Sequence, residues 1–222
     1  MKSFFIRLAG AVRRLSLGEP PVRKSIRGRD NTFQAGGAKL SNVELDILGD
    51  RNRIMVGEDS TLINLKFHVR GSDHVIDIGK NCRVTRGGSF WIEDDGCELR
   101  IGRGTTMVEV HVAVTEPGSK VVIGEECMFA NDIDIRTGDS HSILDSATGR
   151  RINFAENVRI GNHVWVASHA VILKGVEIGE NSVVAAGAIV TKSCEAGSLL
   201  AGNPAKAIKT GIDWKRERIA KE

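Results

Sequence analysis

The hydrophobic positions of this chain recur with a period of six. In the last third, aliphatic residues stand at every sixth position, from Ile160 through Val166, Ile172 and Ile178 to Val190, and a smaller side chain usually follows each one four places later. A hexad of this kind accommodates one short strand and one turn. Three hexads make one coil, and successive coils stack at about 4.8 Å, the spacing of hydrogen-bonded strands. The pattern therefore predicts an all-β fold, a parallel β-helix with three faces and columns of aliphatic side chains inside.

Upstream of this stretch, the repeat is marked by an aliphatic residue followed by Gly. These pairs are Val56-Gly57, Ile78-Gly79, Ile101-Gly102, Ile123-Gly124, Ile160-Gly161 and Ile178-Gly179, at intervals of 22, 23, 22, 37 and 18 residues. Intervals of 22 and 23 fit one coil plus a short loop, and Gly is expected to relieve the backbone at the corner. The interval of 37 fits either two coils plus one residue or one coil with a long loop. Because no aliphatic-Gly pair stands near position 142, we favour a loop over about 138–157. A β-sandwich also alternates, but it does not hold a period of six.

Composition and charge divide the chain into three parts. Aromatic residues make up only 5%, Tyr is absent and Gly is abundant, as a narrow repetitive β-structure requires. Eight basic against two acidic residues give the first thirty positions a charge of +6, which leaves −3 for the rest of a chain whose net charge is +3. We expect a basic N-terminal helix and connection over 1–40, a β-helix domain over 41–211 and a short C-terminal helix over 212–222.

The N-terminal segment allows two interpretations. Residues 1–18 can form a basic amphipathic helix that contacts an anionic membrane surface, or a helix that packs on the first coil and caps it. No apolar run is long enough to span a bilayer, and no nucleic-acid-binding motif is present. The four cysteines show neither CxxC spacing nor a disulfide framework, and three of them fall at the small inward position. We therefore expect a cytoplasmic protein with no partner nucleic acid.

The stretch IGNHVWVASHAVILKGVEIGENSVVAAGAIVTKSCEAGSLLAGNPAKAIK, residues 160–209, closely resembles the hexapeptide-repeat O-acetyltransferases. The upstream segment RTGDSHSILDSATGRRI, residues 136–152, is most similar to the members that modify surface polysaccharides and sialic acid. This resemblance implies left-handed winding of the β-helix. It also implies an acetyl-CoA-dependent O-acetyltransferase that acts on a sugar hydroxyl, and a homotrimer with its active sites between subunits.

Site residues follow from the resemblance, position by position. His141 lies 24 residues before Trp165, as the general base does in the family, and histidine suits this role because its ordinary pKa lies near neutral pH. Asp139 either orients His141 or is a solvated turn residue. Two residues, Glu109 and His111, lie near a family position that contacts the sugar. The resemblance assigns the acetyl-CoA contacts to Trp165, Ser168, Ala186, Thr191, Lys192, Lys206 and Lys209.

Several alternatives remain open from the sequence. A zinc-dependent carbonic anhydrase of this fold needs three converging histidines, and the pairs formed by His163 with His169 or His141 do not fit that spacing, so no metal is expected. His163 and His169 share one offset in consecutive hexads, which predicts surface positions on adjacent faces. A scaffold would not need Lys192 or the NPAK segment. A xenobiotic acetyltransferase would keep the chemistry and change the acceptor.

Overall fold

The computed structural model describes residues 21–221, and these residues wind into a parallel β-solenoid with three faces. We number the strands along the chain. The first face is built by β1 (Val22–Arg27), β4 (Val43–Leu48), β7 (Leu65–Arg70), the later parts of β9 (Arg83–Ile92) and β11 (Thr106–Val114), β14 (Ile133–Arg136), β17 (Val171–Ile172) and β20 (Ile189–Val190).

The other two faces are parallel stacks of shorter strands. The second face comprises β2 (Thr32–Gln34), β5 (Arg53–Val56), β8 (Val75–Ile78), β10 (Glu98–Ile101), β12 (Lys120–Ile123), β15 (Val158–Ile160) and β18 (Glu177–Ile178). The third face comprises β3 (Lys39–Ser41), β6 (Thr61–Ile63), the first parts of β9 and β11, β13 (Met128–Phe129), β16 (Trp165–Val166), β19 (Val183–Val184) and β21 (Leu199–Gly202). The last strand, β22 (Ala205–Lys209), folds back antiparallel on β21.

The extra residues of the early coils lengthen the first face. Strands β4 and β7 have six residues each, whereas β17 and β20 have two each. This difference of four residues accounts for the step from 18 to 22, so the expected short loops are wrong. By contrast, the interval of 37 is one coil with a long loop, because Ile123 pairs directly with Ile160 across β12 and β15.

Glycine follows the aliphatic position because successive coils approach closely there. A Cβ at Gly57 would lie 2.5 Å from the backbone nitrogen of Lys80, and one at Gly179 would lie 2.3 Å from that of Ala196. Neither glycine has a positive φ. The expectation of a relieved corner conformation is therefore wrong at these positions, and space between coils is the physical requirement.

The interior is filled by aliphatic columns and three phenylalanines. The rings of Phe67 and Phe90 meet edge to face at 5.5 Å, and Phe129 is also fully buried. Short polar side chains join coils at the corners: the backbone N–H of Cys82 donates to Oγ of Ser60 at 3.0 Å. The buried cysteines are Cys82, Cys97 and Cys127, and burial raises the pKa of each thiol to about 11. They are core residues rather than nucleophiles.

The β-solenoid begins earlier than the sequence predicted. Residues 22–41 form β1, β2 and β3, which pair in register with β4, β5 and β6, so an irregular connection up to residue 40 is wrong. The degenerate first coil has Ala35-Gly36 where the next coil has Val56-Gly57, and the small alanine hid the repeat. The expected helix over residues 1–18 lies outside the described residues.

The expected C-terminal helix over 212–222 is also wrong. Residues 212–221 lie as an irregular tail along the third face. The indole N–H of Trp214 donates to the carbonyl of His163 at 2.7 Å, and the guanidinium of Arg216 donates to the carbonyl of Cys127 at 3.1 Å. A helix of about three turns has a costly nucleus, and these anchoring contacts favour the extended path.

Candidate active site

His141 lies on the long loop that leaves the prism after the first face. The loop connects the end of β14 at Arg136 to the start of β15 at Val158. The backbone N–H of His141 donates to the carbonyl of Asp139 at 2.8 Å, and its side chain is exposed. It opens on a cavity of about 300 Å³, whose lining comprises Glu93, Asp94, Thr115, Glu116, Ser140, His141, Ser142 and Arg151. The candidate base is therefore accessible to a substrate.

Asn153 holds the base of this loop together. Its side-chain amide nitrogen donates to the carbonyl of His141 and to the carboxylate of Asp139, both at 2.8 Å. Its amide oxygen accepts from the backbone N–H of Ile143 at 2.7 Å and from Nε of Arg151 at 3.2 Å. The residue is buried. No sequence signal pointed to it, because an asparagine in a loop is usually a solvated turn residue.

Asp139 contacts the loop base rather than the imidazole of His141. Its carboxylate forms an ion pair with Lys174 and accepts from Asn153. The Lys174 ammonium holds the pKa of the Asp139 carboxyl below its usual range, and the Asn153 hydrogen bond acts in the same direction. The guanidinium of Arg151 likewise pairs with Glu116. These pairs fix where the loop leaves the prism, and they connect Asp139 to His141 only through backbone and Asn153.

The two candidate acceptor residues occupy different places on β11. Nδ1 of His111 lies 2.5 Å from Oγ of Ser89, and His111 stands in register with Asp134 on the first face. Burial lowers the pKa of His111, against the opposing effect of Asp134. Glu109 is exposed at the corner where the register of β11 shifts. Only His111 is thus embedded among polar neighbours.

The predicted coenzyme residues follow the corner between the third and first faces. Trp165 is half-buried on β16, and Oγ of Ser168 donates to the side-chain oxygen of Asn131 at 2.9 Å. Ala186 lies one coil further, where Gly187 N–H donates to the carbonyl of Ser168 at 2.9 Å. Ser168 and Ala186 therefore occupy the same corner of neighbouring coils, and Trp165 precedes that corner on the third face.

The predicted lysines gather at the C-terminal end of the solenoid. Thr191 and Lys192 directly follow β20, and Lys206 and Lys209 lie on β22. Lys192 and Lys206 line one cavity of about 330 Å³, so two cations predicted to contact the same molecule lie around one opening. This lining shares no residue with the His141 cavity.

Trp214 adds an aromatic group that the sequence interpretation missed. Its ring stacks on His163 at 4.3 Å and lies 6.0 Å from the ring of Trp165. The only signal was a tryptophan within a charged tail. His163 and His169 lie at corners, with φ of 52° and 63°; His169 is exposed as expected, whereas His163 is only partly exposed beside Trp214. Within residues 21–221, no group of three or more His, Cys, Asp or Glu side chains is arranged to hold a metal ion. No helix in that range is long and apolar enough to cross a membrane.

Comparison with known proteins gives consistent relatives. Residues 157–192 match the family described as bacterial transferase hexapeptide (six repeats). The chain is 33% identical over 152 residues to a polysialic acid O-acetyltransferase of Neisseria meningitidis, covering 68% of this chain and 69% of the relative. The crystal structure of the polySia-specific acetyltransferase NeuO superposes with a TM-score of 0.82 at 32% identity, covering 91% of this chain and 92% of that one. A hexapeptide-repeat acetyltransferase from Vibrio cholerae, solved with acetyl coenzyme A, superposes with a TM-score of 0.50 at 25% identity, over 62% of this chain and 72% of that one.

Proposed function

The chain belongs to the hexapeptide-repeat O-acetyltransferases, and we propose that it transfers the acetyl group of acetyl-CoA to a hydroxyl of a surface polysaccharide, with His141 as the general base. Acetyl-CoA is its co-substrate. The observation that carries the proposal is His141 on an anchored loop beside an open cavity, in a chain that superposes over 91% of its length on a polySia-specific acetyltransferase.

The reaction needs one proton to move as one bond forms. His141 accepts the proton of the sugar hydroxyl while the hydroxyl oxygen attacks the thioester carbonyl. The carbon–sulfur bond then breaks, the protonated His141 gives its proton to the leaving sulfur, the coenzyme departs as a thiol, and the sugar keeps the acetyl group as an ester. General-base assistance of this kind is worth about 10²–10⁴-fold in rate. Backbone N–H groups are the donors we expect at the developing oxyanion.

The coenzyme contacts rest on Trp165, Ser168 and the lysines. Lys192 and Lys206 around one cavity supply positive charge for the phosphates. Lysine meets a phosphate as a point charge, without the bidentate fork of arginine, so these contacts depend on charge more than on geometry. Thr191 and Lys209 flank the same end of the solenoid.

We propose that a second copy of the chain completes each site. His141 and Lys192 line separate cavities of one chain, although both must act on one acetyl-CoA. The loop also exposes large apolar side chains, each more than half accessible: Ile143, Leu144, Ile152 and Phe154. A homotrimer places the loop of each subunit against the coenzyme groove of its neighbour and gives three equal sites.

The acceptor class can be tested directly. Purified protein is incubated with acetyl-CoA and either polysialic acid, monomeric sialic acid or a neutral polysaccharide, and thiol release is followed. We expect thiol release with the sialic-acid polymer in excess of the acceptor-free rate, with an O-acetyl ester on the recovered glycan. Release above that rate with the neutral polymer alone would contradict a sialic-acid acceptor, and a rate that no sugar raises above the acceptor-free rate would contradict the proposed function.

We also propose that the enzyme works in the cytoplasm at the inner face of the membrane. The basic character of residues 1–18 supports this, because basic residues near an anionic surface contribute about 1 kcal/mol each. A surface-polysaccharide acceptor is assembled or exported at that membrane. This location therefore accounts for both the basic N-terminal segment and the proposed acceptor.

A further inference from the structure

An exposed tryptophan on the first face takes no part in the site described above. Trp91 points outward from β9 and is 36% exposed. His68, in register on β7, covers one side of the indole, with ring centroids 3.7 Å apart and planes inclined by 20°. The carboxylate of Asp46 lies 3.4 Å from Nδ1 of His68. The indole is therefore supported from behind, and little freedom remains to be lost when another ring stacks on its open side.

On its open side the indole has a small side chain for a neighbour. Ala113 on β11 stands in register with Trp91, and Arg136 on β14 stands in register with Ala113. Because neighbouring strands are about 4.8 Å apart, the backbones of Trp91 and Arg136 are separated by roughly 10 Å. Nε of Arg136 donates to Asp134 at 2.8 Å, which directs the guanidinium along its own strand. A slot floored by Ala113 is left beside the indole; we refer to it as the Trp91 slot.

The Trp91 slot lies two residues along the chain from the cavity of His141. Glu93 follows Trp91 by two residues, and Thr115 follows Ala113 by two. Both Glu93 and Thr115 line the His141 cavity. A chain-like ligand with one residue at His141 can therefore place a neighbouring residue beside the indole.

We propose that the Trp91 slot binds one sugar ring of the acceptor glycan next to the ring that is acetylated, with the apolar face of that sugar against the indole. This inference rests on the proposed function. Two cations on the strand that carries His68 are already paired, Lys66 with Glu44 at 2.9 Å and Arg70 with Asp46 at 2.7 Å. Stacking and hydroxyl hydrogen bonds, rather than net charge, hold the sugar. The enzyme accordingly prefers polymeric over single-sugar acceptors.

Two variants act on the slot in opposite ways. Trp91→Ala removes the platform, and Ala113→Leu fills the slot while keeping the indole. Leu48→Ala is the matched control, because Leu48 is an exposed apolar residue of the first face outside the slot. Thiol release is measured with polysialic acid and with monomeric sialic acid. For both slot variants we expect KM for the polymer to rise between about threefold and tenfold, the value of one aromatic contact. In both slot variants, KM for the monomer and KM for acetyl-CoA should stay unchanged. Leu48→Ala should have wild-type KM values for the polymer, the monomer and acetyl-CoA.

An equal rise of KM for the polymer and for the monomer would overturn the proposal that the slot binds a neighbouring sugar. So would an unchanged KM for the polymer in both variants. A second readout separates it from the proposed function. Sialic-acid oligomers are titrated against tryptophan emission in the absence of acetyl-CoA, where a change in the wild type that is lost in Ala113→Leu supports the slot. If no sugar accepts an acetyl group, the proposed function fails, and this titration still decides whether the slot binds a glycan. Identical titrations of wild type and Ala113→Leu would refute it.

Discussion

Asn153→Ala should release the catalytic loop without unfolding the prism. The substitution removes four hydrogen bonds, to His141, Asp139, Ile143 and Arg151. Each is worth about 0.5–1 kcal/mol net, because the four partners lie at or near the surface, where water replaces the lost contact. The anchored loop should therefore lose about 2–4 kcal/mol relative to its open forms. By the tenfold step per 1.4 kcal/mol, this shifts the loop equilibrium by roughly 30- to 1,000-fold.

The expected result is a fall in kcat/KM of about tenfold or more with little change in Tm, because a peripheral loop opens locally while the coils remain folded. Thiol release gives the kinetics, and hydrogen exchange at the Ile152 amide, which donates to the carbonyl of Ile143 within the loop, reports the opening. Thr148→Ala is the matched control, since Thr148 bonds only within the exposed turn at Asp145. A wild-type value of kcat/KM in Asn153→Ala would refute the reasoning. A large fall in Tm would refute it too, because the whole prism rather than the loop would then be destabilised.

Three further outcomes follow from the site. In a Lys192→Ala, Lys206→Ala double variant, KM for acetyl-CoA should rise about tenfold while KM for the acceptor stays unchanged. Lys80→Ala, at an exposed lysine elsewhere, should behave as the wild type. An unchanged KM for acetyl-CoA in the double variant would contradict the assignment of these lysines to the phosphates. Light scattering should give three times the chain mass, and Phe154→Ser should weaken that assembly; a stable monomer of the wild type at working concentration would contradict the shared site. Deleting residues 1–18 should leave kcat unchanged and abolish co-sedimentation with anionic liposomes; a lower Tm, with full-length protein that ignores liposomes, would favour a cap on the first coil.

The repeat made most of the solenoid predictable. An inward aliphatic at every sixth position admits few folds, and the direct pairing of Ile123 with Ile160 confirms that the 37-residue interval is one coil carrying a loop. The first coil was missed because the pattern is weak there, with Lys24 on the inward column between Val22 and Ile26. The helix predicted after residue 211 is wrong because Trp214 and Arg216 set the path of the tail. Their partners lie some 50 to 90 positions earlier in the chain, so local helix propensity does not reveal them.

Residues of the site were predictable only where they belong to a recognisable sequence motif. The position of His141 on a loop followed from spacing and resemblance. The loop's anchor at Asn153 and the pairing of Asp139 with Lys174 did not, because they depend on contacts between residues 14 and 35 positions apart. Trp91 had no motif at all. Its significance arises from registers that place His68 on one side and Ala113 on the other.

The central claim, that His141 is the general base of acetyl transfer to a sugar, is tested most directly by His141→Ala. Thiol release is measured with acetyl-CoA and polysialic acid at saturation, and acetyl-CoA affinity is measured separately by calorimetry. The account predicts a loss of about 10²–10⁴-fold in kcat with coenzyme affinity close to that of the wild type. A variant that keeps more than roughly a tenth of the wild-type kcat would contradict the assignment, since general-base removal costs more than that.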